Sequence, residues 1–391
     1  MTKKLSIIGS GTAGAIGAAH FSRWTDCEID WYYDSSIKTM PVGEGSLTNL
    51  PTMLADSVDF SYDDLDKIDG TPKLGIHKSH WGNDVDFKEH FKTGTTAFHF
   101  NAVKLQQFLF DKLSGRVNII DKNVKSHDEI DSGYIFDCTG FPKSFEDHHK
   151  SEYISVNAVY VTQCMWDLPK FNYTLTIAMP HGWVFGIPLN NRCAIGYMYN
   201  DQISTLEEVK EDVKNIFDRF GLNPSDKTLE LHFNNYYRNQ NFTERAAYSG
   251  NTSFFLEPLE ATSIGFMDQI QRMTFGYLFQ GDSLNTINSF YTQAIQEIEN
   301  IIMMHYYSGS KYNTPFWDYA KERGQKCMER AVKTHRFVDF YENSKKYDFK
   351  NYNNIPIDKM MYGSWDQRIM NMNLKSLGLV DKIDKLLNAG V

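Results

Sequence analysis

The chain opens on an apolar run, "KLSII". It breaks at Gly9 and resumes with small and apolar residues at helical spacing through "TAGAIGAAHFSRW". A short, mostly apolar run followed by a glycine turn reads as a buried strand. "CEIDWYYD" reads as a second strand ending in an acid, so the three segments predict a β-α-β unit. "AVKLQQFLFDKLSG" has helical spacing and a glycine stop; "NIIDKNV" and "GYIFDCTGF" read as further strands. From Val156 to Tyr199 the pattern turns to short β runs: "NAVYVTQCMW", "NYTLTIAMP", "HGWVFGIPL" and "RCAIGYMYN". Turn residues separate them, which predicts a meander. "STLEEVKEDVKNIFDRFG" predicts one amphipathic helix with a serine N-cap and a glycine stop. After Phe266 the chain reads as mostly helical. The charged, Asn-rich stretches 143–152 and 345–354 read as surface connections.

Composition narrows the class. The 391 residues suffice for one large or two to three ordinary domains, and 41% are apolar. No run approaches the ~20 apolar residues that span a bilayer, and the apolar stretch before Gly9 is too short for a secretory signal. The expectation is a soluble, cytoplasmic protein with no membrane partner. A net charge of -9 argues against nucleic acid. The five cysteines lie far apart with no C-x-x-C pair, which fits a reducing compartment and argues against structural zinc. His77, His80, His99 and His181 are scattered without ligand spacing, so no metal is expected.

"GSGTAG" places Gly9, Gly11 and Gly14 in the G-x-G-x-x-G pattern, around Thr12 and Ala13. Gly9 permits the tight turn, Gly11 lets the backbone approach a pyrophosphate, and Gly14 lets helix and strand pack closely. Asp34 stands about 20 residues on, where an acid accepts hydrogen bonds from ribose hydroxyls. The strand–turn–helix–strand context points to a dinucleotide. The motif alone does not choose between NAD and FAD.

Further segments follow in a specific order: "MPVGEGSLTNLPTML", "PKLGIHKSHW", "AFHFNAVKLQQFL", "YIFDCTGF", "AMPHGWVFGIPLNNRCAIGYMY", "SFFLEPLEATSIGF" and "IIMMHYYSGSKYNTPFW". In this order the chain resembles the flavin-dependent halogenases over roughly 300 residues. The resemblance implies an α/β fold: an FAD-binding three-layer Rossmann-like domain with a β-rich sheet and a helical cap. It divides the chain into an FAD-binding part, 1–150 with 245–305, a substrate-side part, 151–244, and a helical C-terminal part, 306–391.

The family's site residues carry over by motif. "GSGTAG" and Asp34 match the FAD-adenosine site, Glu44 the G-E turn near the flavin, and Asp137 in "DCTGF" a strand end beside the cofactor. Ile264 is counted on the cofactor side. "GWVFGIP" matches G-W-x-W-x-I-P at Trp183, Ile187 and Pro188, with Phe185 in place of the second tryptophan. "EPLEATSI" matches E-P-L-E-S-T-G-I, so Glu260 falls on the catalytic glutamate. Thr262 and Ser263 fall where backbone N–H groups hold the halide; Ala261 and Ser263 replace a serine and a glycine. "PKLGIHKSHW" matches F-K-L-G-I-x-x-x-x-W with Pro72 for the phenylalanine. Lys78 lies close by, but only Lys73 precedes Leu-Gly-Ile and so falls on the catalytic lysine.

The implied activity is FADH2- and O2-dependent halogenation of an electron-rich aromatic, an indole or a phenol. FADH2 and O2 supply a peroxide whose distal oxygen oxidises the halide to a hypohalous acid, which must be oriented before it escapes. A lysine ammonium can hydrogen-bond it, or an uncharged amine can form a haloamine, and an apolar wall favours the uncharged form. A carboxylate such as Glu260 stabilises the cationic ring and removes its proton. No second nucleotide site suggests NADPH, so a separate flavin reductase is expected to deliver FADH2. Homo-oligomerisation stays open. The chain is short for members that act on free tryptophan, which suggests a more open pocket.

Blander readings stand beside these. A lone lysine such as Lys73 is ordinarily a snorkelling surface residue. Glu257 and Glu260 are ordinarily helix-start acids. Trp183 and Phe185 alternate on a strand and are ordinarily core. A flavin monooxygenase shares the first motif but needs no Lys73–Glu260 pair. A flavoprotein that binds FAD without turnover needs neither residue.

Overall fold

The computed structural model describes residues 4–37, 42–83, 85–92, 94–347 and 361–389. The surface connection expected at 345–354 falls largely outside them, beyond residue 347.

"KLSII" forms the central strand Lys4–Ile8 of a five-stranded parallel sheet. Glu28–Tyr33 and then Asn118–Asp121 lie on one side of it; Tyr134–Asp137 and then Ala246–Tyr248 lie on the other. The last strand comes from late in the chain, so this sheet is built by two separated segments. Helix Thr12–Trp24 packs on it through glycine. A Cβ on Gly17 would meet the Phe136 ring at 2.9 Å.

The β-rich region forms part of a second, seven-stranded sheet. Its order is Asn223–His232, Ala158–Met165, Arg192–Tyr199, Gly182–Pro188, Thr174–Met179, Gly75–Ser79 and Asp86–His90. Only the last three of the four expected strands make a meander. Ala158–Met165 instead pairs with Arg192–Tyr199, Ala158 opposite Tyr199. The loop between the first two crosses over and is pinned where Trp166 Nε1 donates to the Leu189 carbonyl at 2.9 Å. The vacated edge of Thr174–Met179 is taken by Gly75–Ser79, running parallel to it.

The segment around Lys73 therefore bridges two sheets. Thr71–Lys73 belongs to a small antiparallel sheet with Ala97–Asn101 and Gly43–Gly45. Leu74 and Gly75 then carry the chain into the large sheet. Gly75 has φ +151, and a Cβ there would stand 1.9 Å from the Glu89 carbonyl oxygen, so only glycine fits this crossing.

Two local expectations are corrected. The helix after residue 204 is two short helices, Leu206–Asp212 and Lys214–Phe220. Its N-cap is Thr205, not Ser204, because Glu208 completes a capping box with Thr205. The stretch 143–152 also contains a strand, His148–Lys150, paired with Tyr236–Arg238. The later chain is helical, in Thr262–Phe275, Leu284–Ser308, Pro315–Ala331, His335–Lys345, Gln367–Ser376 and Val380–Asn388. Among the described residues no helix is long and apolar enough to cross a membrane.

Candidate active site

The glycine turn has the shape its sequence requires. Gly9 has φ +102, and a Cβ there would stand 2.3 Å from the Cys138 carbonyl oxygen. A Cβ on Gly14 would stand 1.9 Å from the Gly9 carbonyl oxygen. Gly11, by contrast, has nothing within 4 Å of where its Cβ would be. It is the N-cap of helix Thr12–Trp24, with no side-chain cap and no acid in the first turn. Unpaired N–H groups, the positive end of the helix dipole and open space above Gly11 fit a pyrophosphate. The residues present thus suit FAD: Gly11, Thr12 and Ala13 would hold its phosphates.

Asp34 follows strand Glu28–Tyr33 at its carboxyl end. It is half-buried, and its carboxylate accepts from Ser36 N at 2.9 Å and from Asn123 Nδ2 at 2.5 Å. Glu44 meets the glycine turn directly: Thr12 Oγ1 donates to its carboxylate at 3.0 Å. Burial pushes Glu44 up to about 7 against that hydrogen bond. Asp137 is occupied locally. It accepts from His127 Nε2 at 2.8 Å and from Thr139 N at 3.0 Å.

"GWVFGIP" forms strand Gly182–Pro188 beside the G-E turn. A Cβ on Gly43 would meet Ile187 Cγ2 at 3.1 Å, and the Pro188 carbonyl accepts from Thr71 Oγ1 at 2.7 Å. Trp183 is fully buried, its ring 6.2 Å from that of Phe185. Glu257 is also buried and accepts from the Tyr306 hydroxyl at 2.8 and 2.9 Å. Burial pushes its carboxyl up to about 8 against Tyr306 and Trp183.

Lys73 is not a surface lysine. It is 0% exposed, and its Nζ has no hydrogen-bond partner. The Phe91 ring lies 5.7 Å away, and a Cβ on Gly45 would stand 3.4 Å from Nζ. Burial pushes Lys73 down to about 8, opposed by the charges of Glu260 and Glu89. His99 lines the same space. Burial and the Lys73 charge hold its imidazole well below its ordinary range.

Glu260 is also buried, at 3% exposure, but it is crowded with partners. Lys78 Nζ lies 2.6 Å from Oε1, and His305 Nε2 lies 3.1 Å from the same oxygen. Trp365 Nε1 donates to Oε2 at 2.8 Å. Lys78 also reaches Glu89 Oε2 and Asn373 Oδ1, each at 2.7 Å. Burial would raise the Glu260 carboxyl; Lys78 and His305 reverse this and hold it well below the carboxylate range. Glu89 is pushed up, by burial and by the Glu260 charge against Lys78. The carboxyls of Glu260 and Glu89 are thus driven in opposite directions, Glu260 down and Glu89 up.

The structure thus brings Lys73 within the electrostatic reach of Glu260, but the lysine that touches Glu260 is Lys78. Lys78, Glu89, His305, Trp365 and Asn373 were not singled out as site residues by the sequence. The one available signal was "IIMMHYY", a histidine inside an apolar helical run.

Glu260 and Ala261 both have left-handed backbones, with φ 72 and φ 52. Neither is glycine, so each carries strain of about 1–3 kcal/mol that its surroundings must hold. The turn delivers the chain into helix Thr262–Phe275, whose N-cap makes no side-chain hydrogen bond. Thr262 and Ser263 therefore open the helix with unpaired N–H groups, and Ile264 is buried just behind them.

The described residues contain no group of three or more His, Cys, Asp and Glu that could hold a metal ion.

Comparison with known proteins agrees with this layout. The Xcc4156 flavin-dependent halogenase from Xanthomonas campestris superposes with a TM-score of 0.75 at 17% identity, over 100% of this chain and 96% of that one. MibH, a tryptophan 5-halogenase, gives 0.78 at 15% identity, over 99% and 90%. Among curated relatives, tryptophan 7-halogenase RebH of Lentzea aerocolonigenes is 23% identical over 82% of this chain and 79% of its own. Tryptophan 6-halogenase ThaL of Streptomyces albogriseolus is 25% identical, over 58% of this chain and 48% of its own. The tryptophan halogenase family model matches residues 4–118 and 110–364. A chain with this fold, this glycine turn and that match belongs to the tryptophan halogenase family of flavin-dependent enzymes.

Proposed function

We propose that the enzyme halogenates an electron-rich aromatic, of indole or phenol type, using FADH2, O2 and a halide. Bound FADH2 with O2 and halide supplies the oxidising equivalent as a hypohalous acid. Gly9, Gly11, Thr12, Ala13 and Gly14 bind the cofactor's phosphates, with Asp34 on its ribose and Glu44, Asp137 and Ile264 nearby. The N–H groups of Thr262 and Ser263 hold the halide. Residues 1–150 with 245–305 form the flavin side, 151–244 the substrate side and 306–391 the helical cover. A separate flavin reductase supplies FADH2.

Lys73 receives the oxidant and presents its halogen to the ring. Glu260, as a carboxylate, stabilises the cationic ring and takes its proton. The observation that carries this reading is Lys73 itself. A fully buried lysine amine with no hydrogen-bond partner, in the field of a buried carboxylate, has no structural task. An unpaired buried amine is costly, and such groups concentrate where chemistry uses them.

The test supplies chemically reduced FAD, O2 and each halide in turn with a panel of phenols, indoles and pyrroles, and reads products by mass. Halogenated product is expected from the wild type and none from Lys73→Ala. Halogenation that survives Lys73→Ala removes the mechanism. Oxygen incorporation without halogen makes the enzyme a monooxygenase.

A further inference from the structure

We propose that Lys78 is a positioning residue, the fixed counter-ion of Glu260, which keeps that carboxylate ionised and leaves Lys73 out of an ion pair. The proposal rests on the reading of Lys73 and Glu260 given above. Lys78 falls on an unspecified position of the "KLGI…W" pattern, so the motif assigns it nothing.

The geometry distinguishes the two lysines sharply. Both are 0% exposed. The Lys78 ammonium meets three acceptors: it donates to Glu89 Oε2 and Asn373 Oδ1, each at 2.7 Å, and forms an ion pair with Glu260 Oε1 at 2.6 Å. Asn373 Nδ2 closes the arrangement by donating to Glu89 Oε2 at 2.7 Å. The Lys73 amine meets none. A buried carboxylate is held ionised by one close cation. Lys78 takes that place.

A purely structural lysine would be satisfied by Glu89 and Asn373. Lys78 in addition forms an ion pair with the carboxylate that sits on two successive left-handed residues. That contact fixes where the carboxylate stands as well as its charge. Every element packed against Glu260 contributes to its surroundings. Lys73 comes from strand Thr71–Lys73, Lys78 from Gly75–Ser79, Glu89 from Asp86–His90 and His305 from helix Leu284–Ser308. Of these, Lys78 is the closest cation.

Trp365 provides a reporter, because its indole N–H donates to Glu260 Oε2. Protein labelled with 15N-tryptophan, its Trp365 resonance assigned with Trp365→Phe, is titrated from about pH 5 to 7, below the titration of Lys73, alongside Lys78→Met and Lys78→Arg. In the wild type and in Lys78→Arg the indole resonance is expected to stay flat. In Lys78→Met it is expected to move and to acquire a pH-dependent step as Glu260 gains a proton. A Lys78→Met resonance that keeps the wild-type position and stays flat overturns the proposal. Should Lys78→Met not fold, Glu89→Gln serves. It leaves the Lys78–Glu260 contact in place and is expected to stay flat; a step in that variant overturns the proposal.

Halogenation is the second readout. Lys78→Met is expected to lose about tenfold in kcat at pH 6, with substrate KM unchanged and partial recovery at pH 8, and Lys78→Arg to restore activity. A kcat loss equal at both pH values overturns the proposal. If the wild type does not halogenate at all, the functional reading fails, and the indole titration still decides the role of Lys78.

Discussion

The indole Nε1 of Trp365 lies 2.8 Å from Oε2 of Glu260, a contact between residues 105 positions apart that is buried on both sides. A hydrogen bond to a buried carboxylate contributes about 1.5–3 kcal/mol. Trp365→Phe keeps an aromatic ring and removes the donor. It is expected to lower stability by that amount in urea unfolding. No loss would show that Oε2 is satisfied without the indole.

Lys73 makes the opposite prediction. A lysine lowered from 10.5 to about 8 on folding costs about 3 kcal/mol where it is protonated in both states. That cost is complete below pH 8. As pH rises from 8 toward 10.5 the folded form is neutral while the unfolded form still binds a proton, so stability rises with pH. Lys73→Met is therefore expected to stabilise the protein at pH 7, with the gain shrinking toward pH 10.5. Activity should vanish in the same variant, which is the pattern of a group kept for function at the expense of stability. Unfolding curves at pH 7 and 10 decide it.

Gly11 and Gly14 separate fold from cofactor. Gly14→Ala places a Cβ 1.9 Å from a backbone oxygen and is expected to prevent folding. Gly11→Ala adds a methyl into open space, at φ -61, and should cost the apoprotein less than about 1 kcal/mol. Its affinity for FAD should fall by about tenfold or more, because backbone and pyrophosphate can no longer approach. Circular dichroism and flavin fluorescence read the two effects separately.

Glu44 titrates near neutrality, raised from 4.5 to about 7 chiefly by burial. A carboxyl raised on folding binds its proton more tightly in the folded state, so stability falls as pH rises from 4.5 through 7. Glu44 is partly exposed, and solvent screening limits the effect to about 1–2 kcal/mol. Glu44→Gln should flatten that slope in unfolding curves between pH 5 and 8.

The glycine turn was readable because its constraints are local. Gly9, Gly11 and Gly14 each answer to atoms fixed by one β-α-β unit. The meander was read only in part because strand order depends on a distant strand, Gly75–Ser79, which takes the edge of Thr174–Met179. The two lysines were harder still. Five positions apart on one continuous strand, Lys73 and Lys78 would point to opposite faces. The crossing at Leu74–Gly75 breaks that alternation, so both enter the field of Glu260 and Glu89. No periodicity in the sequence announces such a break. Trp365 and Asn373 lie more than one hundred residues beyond Glu260, where spacing carries no information.

The contact of Lys78 with Asn373 spans 295 positions. During synthesis Lys78 emerges early and Asn373 late, and at about 5–20 residues per second the interval between them is tens of seconds. Through that interval the two sheets can pair, but the buried charges lack their last neutral partners. The buried charged cluster around Glu260 thus matures after translation has passed residue 373, while the glycine turn near the N-terminus is ready far sooner.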